Sequence, residues 1–73
     1  MSTASQDLAG FRATLVEQRV RHVRRCAKAG RSGATASNAE RLTQIQNAIE
    51  AIDRALADDQ AHGELGAINA DDD

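Results

Sequence analysis

Between positions 42 and 56, large apolar residues fall at Leu42, Ile45, Ile49, Ile52 and Leu56, in steps of three, four, three and four. Gln44, Gln46, Asn47, Glu50, Asp53 and Arg54 stand between them, with Ala48, Ala51 and Ala55 filling the gaps. Two apolar positions in every seven make a narrow seam on an otherwise polar helix. Such a helix buries little alone and gains by lying along another. The rest of the chain must supply that second helix or recruit it.

Composition points the same way. Of the 30 hydrophobic residues, 15 are alanine, and there is one aromatic and no proline. That mixture favours helices over a sandwich or barrel, whose strands need β-branched and aromatic side chains. The 73 residues make one domain at most. Chains below roughly 70–80 residues seldom build a sufficient core alone, so self-association or a partner protein is expected.

The first helix is expected over residues 6–29, with Ser5 as its cap and Asp7 in its first turn. At 100° per residue, Leu8, Phe11, Leu15, His22 and Cys26 form one strip, and Val16, Val20, Val23 and Ala27 a second beside it. Arg12 and Arg19 lie between the strips, with stems long enough to cover apolar surface while their charged heads reach water or an acid. Two strips read as two contacts. The Phe11/Leu15 strip meets the second helix of the same chain. Val16, Val20 and Val23, with Arg12 and Arg19, face a partner.

The turn is Gly30-Arg31-Ser32-Gly33-Ala34-Thr35-Ala36-Ser37. Gly30 suits the left-handed residue after a helix, and Gly33 adds a second flexible point. Ser37 with Glu40 spells a capping box, which starts the second helix near Asn38 and runs it over residues 38–61, with Gly63 as its stop. Folding back about position 33–34 makes the numbers of facing residues add to about 67. Phe11 then meets Leu56, Leu15 meets Ile52, His22 meets Ile45 and Cys26 meets Leu42. The expected fold is all-α, an antiparallel two-helix hairpin over residues 1–62 that pairs into a four-helix bundle or docks on a partner. Residues 63–73 lack period and bulk and read as a disordered acidic tail.

Charge is divided unevenly. Residues 1–36 carry seven cations against Asp7 and Glu17, a net +5, and residues 37–73 carry Arg41 and Arg54 against nine acids, a net −7. Arg21, Arg24, Arg25 and Lys28 share about 100° of the polar face of helix one, and Arg31 follows just past its end. A stripe of cations can hold a nucleic-acid backbone. No aromatic is placed for base stacking and no helix-turn-helix spacing occurs, so nucleic-acid binding is the alternative function rather than the leading one.

Catalysis is not expected. His22 and Cys26, four apart, could supply two metal ligands, but a structural zinc site takes four and no second pair exists. They read as a packed histidine and a buried thiol, with no metal and no cofactor. A hairpin offers no pocket for a Cys26 nucleophile. Glu50 and Asp53 share one side of helix two and read as partners of arginine rather than an acid/base pair. A single cysteine excludes an internal disulfide, and Met1–Ser5 lacks the charged start and apolar centre of a secretory signal. No apolar run approaches the ~20 residues of a membrane span. Cytoplasm is the expected compartment, or the virion if the chain is phage-derived.

Two resemblances follow from these features. The plan of a short helical hairpin with a self-pairing seam and a loose acidic end is similar to plasmid copy-number regulators that form dimeric four-helix bundles and bind paired RNA loops. The stretches Phe11-Arg12-Ala13-Thr14-Leu15-Val16-Glu17-Gln18-Arg19 and 45–58 resemble short helical proteins of tailed-phage and prophage gene clusters. The second half also resembles small head–tail connectors, although residues 30–36 are too short for the β-hairpin those carry. This likeness implies an assembly or adaptor role without enzymatic activity.

Overall fold

A computed structural model describes the backbone of residues 3–69 and the side chains of residues 3–61. Helix α1 spans Thr3–Ala29, a 3-10 turn spans Gly30–Gly33, and helix α2 spans Ala36–Asn69. The chain is an all-α hairpin, and no strand occurs among the described residues. It is a thin rod, 55 × 18 × 15 Å along its principal axes.

Both helices begin earlier than their expected caps. Ser5 lies inside α1, buried, and its hydroxyl donates to Asp59 of α2. Thr35, not Ser37, caps α2: its Oγ1 accepts the Asn38 backbone N–H at 3.1 Å. Asn38 occupies the third helical position, where a capping-box glutamate would sit, and its amide instead donates to the Gly33 carbonyl at 2.9 Å. The helical assignment of α2 continues past Gly63 to Asn69. Gly63 and Gly66 each cost a helix only about 1 kcal/mol, and no proline follows to stop it. The tail was expected to be disordered from residue 63; the side chains beyond residue 61 and all of residues 70–73 lie outside the described residues.

The loop sets the register. Gly30 has φ +59°, the left-handed conformation expected after α1. Gly33 is not a flexible point. A Cβ there would lie 2.2 Å from the Cys26 carbonyl oxygen and 2.8 Å from Cys26 Cα, so only glycine lets the turn pack onto the end of α1. This tight closure brings the fold-back point close to residue 32. Cross-helix pairs then run Ser5 with Asp59, Arg12 with Asp53, Arg19 with Gln46 and His22 with Asn38, so facing numbers add to between 60 and 65 rather than 67.

That slip reassigns the first strip. Leu15, Ile45, Ile49 and Ile52 are buried, with Leu8, Val16, Ala48 and Leu56 packed partly against them. Phe11, expected opposite Leu56, is 56% exposed. The line Leu8, Leu15, His22 can be completed into a seam in two ways: with Phe11, Gln18 and Arg25, or with Ser5, Arg12, Arg19 and Cys26. The structure takes the second. Its polar members all find partners, Arg12 and Arg19 across the interface and Ser5 at the open end of the hairpin, while Val16 on the same side adds apolar contact.

Candidate functional site

The seam leaves one flank of the hairpin apolar and uncovered. Val20 and Val23 are 43% and 45% exposed, and Leu42, at the loop end of the α2 seam, is 36% exposed. With Arg19, Arg24 and Gln46 they line an open groove between the helices. It continues toward the loop past Cys26, Ala34, Thr35 and Ala39. At the loop end of the seam α1 presents His22 and Cys26 rather than large aliphatic side chains.

Residues expected at a partner face divide between two places. Val20 and Val23 are on the open flank. Val16 is half-buried against the core. Arg12 and Arg19 bridge the hairpin itself: Arg12 Nε donates to Asp53 Oδ1 at 2.6 Å and Nη2 to Oδ2 at 3.4 Å, and Arg19 Nη1 donates to Gln46 Oε1 at 2.8 Å. The hydrogen bond from Arg12, opposed by burial and aided by the Arg12 charge, holds the Asp53 carboxyl below the usual carboxylate range. The same pairing raises Arg12 above its ordinary value. Spacing makes Leu42 a seam residue, and its place in the groove depends on what α1 sets opposite it.

The cations separate as well. Arg24 belongs to the apolar groove. Arg21 and Arg25 lie on the other flank, where with Gln18 and Arg41 of α2 they line a polar cleft. Sequence spacing does not single out Arg41, since only the hairpin brings it beside α1. Glu17 lies 3.8 Å from Arg21 one turn away, an exposed pair. Among the described residues neither Arg25 nor Arg41 has an ion-pair partner. Lys28 and Arg31 are exposed near the loop. Phe11 precedes Gln18 and Arg25 in seven-residue steps and so falls on this second flank.

His22 is buried, and its Nε2–H donates to the Asn38 carbonyl oxygen at 2.8 Å. This bond ties the last third of α1 to the first turn of α2. Cys26 Sγ lies 3.7 Å from the same nitrogen, half-buried. Among the described residues no three or more histidine, cysteine or acidic side chains converge as metal ligands do. No described helix is long and apolar enough to cross a membrane.

The charge division runs along the rod rather than between its helices. Residues 17–47, toward the loop, carry seven cations against Glu17 and Glu40, a net +5. The described open-end segments, 3–16 and 48–61, carry Arg12 and Arg54 against Asp7, Glu50, Asp53, Asp58 and Asp59, a net −3. One end of the molecule is basic and the other acidic.

Comparison of the chain with protein-family models, with curated proteins and with solved structures returns no match.

Proposed function

We propose that this chain is a non-catalytic interaction module whose Val20, Val23 and Leu42 flank packs against a protein surface. Its role would be the assembly or adaptor function implied by its likeness to short tailed-phage proteins. The observation that carries this reading is the pairing of a thin core with an open apolar flank: four apolar residues are buried, while three large ones on one side stand at least 36% exposed. An association that covers the flank supplies apolar burial the hairpin lacks. Arginine at the rim of an apolar patch is also characteristic of protein–protein contacts. The role of His22 in this reading is structural, a strut between the helices.

Light scattering read by refractive index tests it, since the chain has no Trp or Tyr for absorbance. The wild type is expected above its monomer mass of 7.8 kDa. Val20→Asp with Val23→Asp is expected to give a helical monomer by circular dichroism. Val16 is a poor choice for this test because it also supports the core. A wild type that stays monomeric and folded at every concentration removes the reading.

A second reading rests on the Arg21, Arg25 and Arg41 cleft. Three guanidiniums gathered around Gln18 suit a phosphate-bearing partner such as a nucleic-acid backbone. Binding of duplex DNA or structured RNA in about 50 mM salt, lost on replacing these arginines by Gln, would establish it. No binding under those conditions eliminates it.

A further inference from the structure

The exposed valines belong to a longer stripe. Ala9, Ala13, Val16, Val20, Val23 and Ala27 recur in steps of four, three, four, three and four down one side of α1. That is the spacing of a second coiled-coil seam, and of its members only Ala9 and Val16 are even partly covered. The step pattern reads the same in both directions, with its midpoint at residue 18. Laid antiparallel on itself about that point, the stripe sets Val16 against Val20, Ala13 against Val23 and Ala9 against Ala27. In the middle pair the smaller side chain meets the larger, which keeps the helices evenly spaced.

Charge selects the same arrangement. Two rods side by side in parallel would bring basic loop end to basic loop end. Antiparallel, the +5 end of one lies along the −3 end of the other.

We infer that the occupant of the Val20/Val23 flank is a second copy of this chain, bound antiparallel about a two-fold axis beside residue 18. This rests on the reading of that flank as an interaction face and names its partner. The interface is isologous, so it closes at two chains rather than propagating into a filament. The assembly is a four-helix bundle built from two hairpins, with the α1 helices in contact at its centre.

Disulfide trapping in the full chain tests the register. In a Cys26→Ser background, Ala13→Cys and Val23→Cys are made as separate proteins, mixed and oxidised. The mixed pair is expected to cross-link in preference to either protein with itself, because like positions are offset by ten residues, about 15 Å along the helix. Light scattering of the wild type, which needs no variant to fold, is expected to give twice 7.8 kDa. An associated protein that links Ala13→Cys chiefly to itself, or that has a mass other than a dimer's, overturns this inference while leaving the interaction face standing. A dimer that Phe11→Ala dissociates and Val20→Asp with Val23→Asp does not overturns both, by moving the contact to the opposite flank. A wild-type monomer at every concentration also removes both.

Discussion

Gly33 and Gly30 do different work within four residues of chain. Gly30 is needed for its positive φ, and any L side chain there costs about 1–2 kcal/mol. Gly33 is needed for space, because its missing Cβ is where the Cys26 carbonyl lies. Gly33→Ala should therefore destabilise the hairpin by about 1–3 kcal/mol, as overpacking does. Gly10, with open space around it, should respond in the opposite direction: Gly10→Ala should stabilise by about 0.5–1 kcal/mol. Thermal melts followed by circular dichroism separate the three. Gly30 was legible from its position after a helix; Gly33 was not, since the close approach depends on where the turn lands on α1. The Arg12–Asp53 pair makes a second prediction at this scale. Asp53 is held below its unfolded value, so its contribution is complete above the ordinary carboxylate value of about 3.9 and fades as pH falls through the lower folded value. Arg12→Gln should be less stable than wild type at neutral pH, and the two stability curves should converge in acid. Curves that stay parallel across that range would dissociate the pair from stability.

At the level of elements, the two seams differ in how far residue spacing alone defines them. The α2 seam has one solution, because nothing but its own five residues is large and apolar in that stretch. The α1 seam has two, and hydrophobicity alone prefers Phe11 over Arg12. Arg12 and Arg19 each meet a polar partner across the interface, Asp53 and Gln46, and neither pairing can be known before the register is. The start of α2 shows the same ambiguity. Ser37-x-x-Glu40 is the better capping box in sequence, yet Thr35 closes the helix because Asn38 is drawn to the Gly33 carbonyl. Thr35→Ala should cost about 1 kcal/mol, the usual worth of an N-cap. Ser37→Ala, on an exposed position inside the helix, should stay within about 0.5 kcal/mol of wild type. Equal losses from the two would return the cap to Ser37.

For the whole molecule, the consequence of a hairpin is that sequence halves and spatial halves differ. The cations near the end of α1 and the acids near the described end of α2 are drawn apart to opposite ends of a 55 Å rod. Favourable attraction within one copy is thereby small, and the long-range field is left for another molecule. Association that covers the valine flank is linked to folding, so the melting temperature of the wild type should rise with protein concentration. That of Val20→Asp with Val23→Asp should not. A melting temperature independent of concentration in the wild type would place all of the stability within one hairpin.

The helical class, the hairpin, the α2 seam and the existence of a surplus apolar strip all follow from residue spacing, because helical periodicity is a local property that each stretch carries by itself. Register, the choice of Arg12 over Phe11 in the core, the convergence of Arg21, Arg25 and Arg41, and the polarity of the rod were decided only by the tertiary structure. Each depends on where the chain turns back. A shift of a few residues there changes every pairing along both helices, and the close approach of Gly33 to the Cys26 carbonyl is part of how the turn packs.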